Sequence, residues 1–257
     1  MNNENHFIFG TRAVIEALNA RKELDRILIQ RGLNNQLFHE LRKALQEKNI
    51  PYQIVPPEKL NRLARNRNHQ GVIASLSEIT FHSTEELLPS VFESGKIPLL
   101  IILDKVTDVR NFGAIARSAE CAGADFIIVP EQGSAAVNAD AIKTSAGALH
   151  RIPVCRERNL KNTLDFLKAS GIQIIACHEK TNRLIYEADL KIPTAILLGS
   201  EDQGISSEYL KRSDTQVKIP MPGTISFLMR ILAKVPRIIT SWLPRRVPYW
   251  LKSASRT

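Results

Sequence analysis

The residues best suited to chemistry in this sequence follow apolar runs that are typical of buried strands. Asn111 and Arg117 come after LLIILDKV, within or just before a segment of small residues, FGAIARSAECAGA. Glu201 follows AILLGS and lies between Gly199 and Gly204. A guanidinium, an amide and a carboxylate offer donors and acceptors to a polar ligand, and glycines let the backbone approach it closely. Taken singly, Arg117 would be a surface residue, Asn111 a helix N-cap and Glu201 a solvated turn residue.

These residues need a sheet that brings their strands together. From residue 98 onward, four apolar runs, LLIILDKV, FIIVP, IIACH and AILLGS, alternate with helical segments, among them residues 136–150. This order predicts an α/β domain with a mostly parallel sheet covered on both faces. Ligands of such sheets bind at the carboxyl ends of the strands. A third strand end, VKIPMPG at residues 217–223, is therefore expected to join the same site.

The beginning of the chain predicts a separate small α/β domain, residues 1–80. Its predicted strands are DRILIQ, PYQIVP and GVIASLS. We expect the polar segment 81–97 to be a linker and residues 98–257 to form the second domain. A basic cluster precedes the last strand of the small domain and consists of Arg62, Arg65, Arg67 and His69. This cluster is either a solvated helix end or a set of contacts to nucleic-acid phosphates.

Composition limits the class of protein further. The 257 residues carry a net charge of +9, but residues 227–257 alone hold seven Lys and Arg and no acidic residue. Three cysteines without CxxC spacing indicate reduced thiols, not a zinc site or a disulfide framework. Without a bilayer-spanning run or a secretory signal pattern, we expect a cytoplasmic protein that binds neither membrane nor metal. The sequence has no GxGxxG or GxxxxGK[ST] motif to support an ordinary dinucleotide site or a P-loop.

In combination, the motifs resemble those of the TrmH branch of the SPOUT superfamily, the S-adenosylmethionine-dependent RNA ribose 2′-O-methyltransferases. The family's first motif, an Asn and then an Arg in the following helix, matches Asn111 and Arg117. Its second, G-x-E-x-x-G after an apolar strand, matches GSEDQG at residues 199–204, and its third, I-P-M-x-G, matches IPMPG at residues 219–223. IFGTRAVIEAL and NRNHQGVIA resemble the L30-like substrate-binding domain of the 23S ribosomal RNA guanosine 2′-O-methyltransferases.

This resemblance implies a fold, a cofactor and partners. The implied fold is a small L30-like α/β domain followed by a mostly parallel α/β catalytic domain of the trefoil-knot type. The implied donor is S-adenosylmethionine, the implied acceptor is a guanosine of 23S ribosomal RNA, and the implied assembly is a homodimer. The residues expected at the donor are Leu198, Gly199, Gly204, Ile219, Met221 and Leu228.

The resemblance also implies roles for the polar residues. Arg117 would orient the ribose 2′-hydroxyl and stabilise developing alkoxide charge, or else abstract the proton. Asn111 would orient backbone or substrate, and Glu201 would hold the catalytic loop or Arg117. A sulfonium donor needs no metal and no covalent enzyme intermediate, so catalysis would consist of positioning two bound reactants.

The sequence departs from the family pattern after Ser226. The family continues with S-L-N and a helix of small residues, whereas this chain has Phe227 and Met229 around Leu228, and prolines that would break a helix. The abrupt change in composition predicts a shift of reading frame near Leu228, and a natural basic tail is the alternative. A catalytically impaired RNA-binding protein is therefore the rival function. A small-molecule α/β enzyme is a weaker one, since no phosphate loop or nucleophile supports it.

Overall fold

The chain forms two compact units. The computed structural model describes residues 7–219, except residues 21, 48, 49, 51 and 66. The first unit comprises the residues up to Thr80 together with Ala136–Ala139, and the second comprises Phe81–Ala135 and the described residues from Asp140 onward. Met221, Leu228, the expected knot and the C-terminal helix all fall outside the described residues.

The first unit is built around a four-stranded mixed sheet. Its elements are β1 (Phe7–Phe9), α1 (Thr11–Asn19), β2 (Leu24–Gln30), α2 (Gln36–Glu47), β3 (Gln53–Val55), α3 (Pro57–Ala64) and β4 (Val72–Leu76). The strand order is β1-β4-β2-β3, with β4 antiparallel to both neighbours and β2 parallel to β3.

Alternation along β2 decides which helices cover which face of this sheet. Ile27 and Ile29 share a buried cluster with Leu41 of α2 and with residues of α1. Leu28, between them, belongs to a second cluster with Leu60 of α3. Successive side chains of a strand point to opposite faces, so α1 and α2 lie on one face and α3 on the other.

The second unit contains a seven-stranded sheet in which every named strand pair is parallel. Its elements are β5 (Phe81–His82), α4 (Thr84–Glu93), β6 (Leu99–Asp104), α5 (Val109–Cys121), β7 (Phe126–Pro130), α6 (Ala139–Thr144), β8 (Val154–Glu157), α7 (Leu160–Ala169), β9 (Gln173–Cys177), β10 (Thr194–Gly199), α8 (Ser207–Arg212) and β11 (Thr215–Val217), with 3-10 turns at Ala148–His150 and Ile185–Glu187. The strand order is β11-β9-β10-β6-β7-β8-β5. The predicted α/β class, with a parallel sheet and a smaller N-terminal domain, is confirmed.

The continuous apolar runs reflect a sheet that is buried on both faces. In β6, Leu100 and Ile102 pack in a cluster with Leu88 of α4 and Leu164 of α7. Ile101, which points to the opposite face, is also buried. A strand with no solvent-facing side has no reason to alternate between polar and apolar residues.

Two segments differ from the sequence-based expectation. Residues 81–97, expected as a linker, form β5 and α4 in the second unit, where β5 pairs with β8 and Ser83 with Glu86 forms a capping box at the start of α4. The helix expected over residues 136–150 is interrupted, since α6 ends at Thr144. Ala146 and Gly147 have φ values of 51° and 83°, in the left-handed region that ends a helix.

Candidate active site

Helix α5 begins at Val109, two residues before Asn111. Its N-cap is Asp108, whose side-chain Oδ1 accepts a hydrogen bond from the backbone N–H of Asn111 at 2.7 Å. The N-cap interpretation of Asn111 is therefore wrong. The carboxylate three residues earlier accepts from the backbone N–H of the third helical residue, as N-caps do. The half-buried side chain of Asn111 is not used for capping and stays available for another role.

Arg117 lies on the solvent-facing side of α5. Arg110, Arg117 and Cys121 are all exposed and share one face, because seven and four residues are close to whole numbers of helical turns. Asn111 is six residues before Arg117, which places the two about 120° apart around the helix axis. Among the described residues, no ion pair joins Arg117 to Glu201. The side chains of Arg117 and Asn111 therefore lie on different sides of the helix.

Helix α5 is held against α6 by a close contact at Gly113. A Cβ atom at this position would lie 2.7 Å from the Ala141 carbonyl oxygen and 2.8 Å from Thr144 Cβ. The small residues of this segment thus permit close helix packing, and the buried side of α5 is fixed. A long cation can therefore occur in a helix of small residues, because the small side chains pack inward and Arg117 projects outward.

The two glycines of the GSEDQG loop are required for different physical reasons. Gly204 has φ +64°, in the left-handed region. Gly199 has no such φ, but a Cβ there would lie 2.1 Å from the Gly204 carbonyl carbon. The loop folds back on itself, with the Gly204 N–H donating to the Ser200 carbonyl at 2.9 Å. Glu201 is exposed at the tip of this turn.

A buried carboxylate joins this loop to the neighbouring strand. Asp104 ends β6 opposite Gly199 of β10, and it is 3% exposed. Its Oδ2 accepts a hydrogen bond from the Ser206 N–H at 2.6 Å. Burial, followed by the charges of Asp104 and Glu208, raises the pKa of Tyr209 in the adjoining helix α8. Asp104 was not among the residues predicted from the sequence, although a carboxylate at the end of the apolar run LLIILD was a visible signal.

The third strand end is only partly described. β11 pairs with β9 and not with β10, so the carboxyl end of β9 separates the two loops expected at the donor. There His178 Nε2 lies 3.0 Å from Gln216 Oε1. Leu198 and Ile219, both expected at the donor, are 2% and 3% exposed. Their side chains are buried in the interior. Only the backbone groups of these two residues can therefore contact a ligand.

The basic cluster of the first unit is more constrained than its sequence suggests. Arg62 is exposed on α3, and Arg65 ends that helix with φ 47°. The Arg67 guanidinium lies 5.3 Å from the centre of the Phe9 ring, a cation–π contact. His69 is occupied at both ring nitrogens, with Nδ1 accepting from the Gly71 N–H at 3.0 Å and Nε2 at 2.8 Å from Asn61 Oδ1. Arg62 is therefore the least constrained member of the four.

Comparison with known proteins identifies the family. The SpoU rRNA Methylase family model matches residues 98–228, and the model for RNA 2′-O ribose methyltransferase substrate binding matches residues 7–82. A TrmH family tRNA/rRNA methyltransferase of Staphylococcus aureus is 36% identical over 228 residues, covering 88% of this chain and 90% of the relative. The chain belongs to the SpoU rRNA methylase family. A Staphylococcus epidermidis relative of the same description is 35% identical over the same share of each chain.

Solved structures support the fold of this SpoU family member. AviRb from Streptomyces viridochromogenes in complex with AdoMet has a TM-score of 0.54 at 22% identity, covering 91% of this chain and 90% of that one. The AdoMet-bound rRNA methyltransferase from Sinorhizobium meliloti has a TM-score of 0.57 at 19% identity, covering 95% and 88%. The predicted family and the RNA 2′-O-ribose methyltransferase class are confirmed by the two family models, and S-adenosylmethionine, the predicted methyl donor, is bound in both of these solved structures.

The described strand ends have the features expected of a binding site for S-adenosylmethionine. The GSEDQG loop is a tight turn without a bulky side chain at Gly199 or Gly204, and it is anchored by Asp104 to the strand end beside it. Residues 220–228, where Met221 and Leu228 were expected to complete the pocket, are outside the described part of the chain.

Within the part that is described, no cluster of three or more His, Cys, Asp or Glu could hold a metal ion. Nor is any described helix long and apolar enough to cross a membrane.

Proposed function

We propose that this chain transfers a methyl group from S-adenosylmethionine to the ribose 2′-hydroxyl of a guanosine in 23S ribosomal RNA. The observation that supports this most directly is the exposed cation Arg117, on the helix that follows β6, the strand whose last residue anchors the GSEDQG loop. We include the rest of the assignment in the proposal: a first domain that ends at residue 80, a homodimer, and action in the cytoplasm, where ribosomal RNA is available.

In this proposal the residues position two reactants for a single displacement. When bound, S-adenosylmethionine would supply the methyl group to the 2′-oxygen with its sulfur as the leaving group, which would give methylated ribose, S-adenosylhomocysteine and a proton released to solvent. The backbone of the GSEDQG loop and of Ile219 would hold the donor, with Asp104 keeping the loop in place through Ser206. A positioned pair of reactants gains rate without covalent chemistry by the enzyme.

Arg117 would act on the acceptor. A guanidinium has five N–H donors and no acceptor, so it is poorly suited to take a proton and well suited to stabilise charge on an alkoxide. Asn111, on another side of α5, would orient backbone or substrate, and Glu201, at the loop tip, would support the loop. Arg62, Arg65 and Arg67 of the first unit would contact phosphates.

The acceptor is tested by offering two RNA classes in parallel. The relatives are described as tRNA/rRNA methyltransferases, so both classes are candidates. Unmodified 23S ribosomal RNA and bulk tRNA, each incubated with methyl-labelled donor, are digested to nucleosides. The proposal expects label in 2′-O-methylguanosine from ribosomal RNA alone. Label in tRNA, or in another nucleoside, would move the substrate assignment and leave the reaction type intact.

A second candidate function rests on where the family match stops. The SpoU rRNA Methylase model matches up to residue 228, and the sequence departs from the family's S-L-N pattern at residues 227–229. If the reading frame shifts there, the chain as written keeps its RNA-binding unit and lacks part of the donor pocket. Replacing residues 227 onward with a family-like S-L-N helix should then raise the melting temperature, donor affinity and methylation together. Equal values in the two chains would show that the basic tail is a functional natural ending.

A further inference from the structure

The first unit carries a polar concavity that the proposed catalytic roles leave unused. Its volume is about 560 Å³, within the usual range of ligand pockets, roughly 300–1,000 Å³. The described residues that line it are Gln30, Leu33, Asn61, Ala64, Arg67, Asn68, His69, Gln70 and Gly71. Four of these side chains are neutral amides, one is a cation, and none is a carboxylate. Such a lining offers many donors and acceptors and little charge.

One amide of the lining is held in a defined orientation. The Gly71 N–H can only donate, so His69 Nδ1 accepts, and the proton of the neutral ring is on Nε2. Nε2–H therefore donates to Asn61 Oδ1 at 2.8 Å. With its oxygen engaged, Asn61 has its NH₂ group left for a ligand. His69 thus acts as a support for Asn61, which differs from the phosphate contact expected from the sequence.

The loop on the other side of the concavity is shaped by backbone strain. Gln70 and Gly71 have φ values of 47° and 81°, two left-handed residues in succession. Asn68 Oδ1 accepts a hydrogen bond from the Gln70 N–H at 3.2 Å and stabilises this turn. Its NH₂ group, like that of Asn61, is the part of the side chain left to a ligand. Left-handed non-glycine residues concentrate at functional sites.

The chemistry of the lining favours a base over a phosphate. A phosphate presents acceptors only, whereas the lining has one cation, Arg67, among amide side chains that carry both donors and acceptors. An unpaired base presents donors and acceptors on its Watson–Crick edge, which amide side chains match. Leu33, Ala64 and the glycine at position 71 supply apolar surface for the faces of a planar ring. A paired base would keep its edge hidden.

We propose that this concavity binds one unpaired base of the RNA substrate, with Asn61 and Asn68 as donors to its edge. This inference rests on the proposed function, which makes RNA the substrate. Arg67, held over Phe9, would contact the backbone beside that base. The site would select RNA that has a loop or bulge over RNA that is fully paired.

The chain itself offers matched controls for the test. Asn61→Asp keeps the oxygen that His69 contacts and replaces the NH₂ donor with an acceptor. Asn34→Asp makes the same change where Asn34 Oδ1 lies 2.9 Å from His39 Nε2, outside the concavity. Asn68→Asp keeps the acceptor for a backbone N–H, as does Asn35→Asp, since Asn35 Oδ1 accepts from the Phe38 N–H at 2.8 Å. Each variant lowers the net charge by one.

Binding of the full chain is measured with a pool of hairpins that have randomised loops and with a fully paired duplex of equal length. We expect the unmodified chain to bind the pool roughly ten-fold more tightly than the duplex. Asn61→Asp and Asn68→Asp should lose this preference at an unchanged melting temperature, while Asn34→Asp and Asn35→Asp keep it. No preference in the unmodified chain, or equal behaviour of variants and controls, would overturn the base site. A chain that selects looped RNA but transfers no methyl group would contradict the proposed function alone.

Discussion

Asp104 and Ser206 are 102 positions apart in sequence, yet Asp104 Oδ2 accepts a hydrogen bond from the Ser206 N–H at 2.6 Å. The carboxylate ends β6, and the amide follows the loop at the end of the neighbouring β10. Because Asp104 is only 3% exposed, water competes little for this hydrogen bond, and the bond is stronger than it would be at the surface. It fixes the GSEDQG loop against the strand end that leads into the helix of Arg117. The two parts of the candidate site are therefore connected by one buried contact.

Removal of this contact should loosen the loop. We expect Asp104→Ala to reduce the free energy of unfolding by about 1–3 kcal/mol, because the Ser206 N–H loses its partner. Donor affinity should fall as well. Asp104→Asn is the control, since its amide oxygen can still accept the bond. Chemical denaturation and calorimetric titration with S-adenosylhomocysteine measure both effects, and unchanged values for Asp104→Ala would show that the contact does not organise the loop.

The two loop glycines should respond differently to alanine. In Gly204→Ala the added Cβ meets no atom within 4 Å, so only the left-handed φ is strained, at a cost of about 1–2 kcal/mol. In Gly199→Ala the Cβ would meet the backbone of Gly204 at 2.1 Å, and the loop must move. Donor titration should therefore show a much larger loss for Gly199→Ala. A greater loss for Gly204→Ala would mean that φ, not the close approach, sets the loop.

Arg117→Ala should abolish methyl transfer while donor affinity stays within a few-fold. The side chain is exposed and nothing among the described residues shows it supporting the fold. Arg110→Ala is the matched control, because it removes an exposed arginine two turns earlier on the same face of α5. Steady-state transfer rates and donor titrations separate the two roles. Equal loss of donor affinity would move Arg117 to the cofactor site, and full activity would make it a surface residue.

The cysteines predict a pH limit on stability. Burial raises the pKa of both the Cys155 and Cys177 thiols to about 12, from a usual value near 9.0. In the unfolded chain these thiols ionise above pH 9, whereas in the folded chain they stay protonated. The contribution of these buried thiols to the free energy of unfolding is therefore complete below pH 9 and is lost as the pH rises toward 12. Denaturation between pH 7 and 10 should show unfolding becoming easier above pH 9.

Thiol alkylation gives an independent check of the same burial. At neutral pH a folded chain should react at one thiol, Cys121, which is exposed, and at all three when unfolded. A Cys121→Ser chain should react only after denaturation. Rapid labelling of Cys155 or Cys177 in the folded chain would contradict their burial.

Local signals carried most of what the sequence could predict. Strand β6 and the GSEDQG loop were recognisable because an apolar run and a glycine spacing need only neighbouring residues. Asp104 was missed because its role depends on the register of β6 against β10. The two-residue strand β5 was missed because it is too short to show a period. Gly147 signalled that the helix expected over residues 136–150 would end early, but the left-handed conformation of Ala146 was not foreseeable from its residue type.

The position of the transferred methyl group tests the central claim most directly. Ribosomal RNA is incubated with methyl-labelled donor and the chain with a family-like ending after Ser226, and the RNA is then hydrolysed in alkali. A methyl group on the 2′-oxygen blocks attack of that oxygen on the adjacent phosphate, so the bond after the modified nucleotide survives. The account predicts label in alkali-resistant dinucleotides, absent when Arg117 is alanine. Label in single nucleotides, which would place the methyl group on a base, or no label from a chain that binds both donor and RNA, would contradict it.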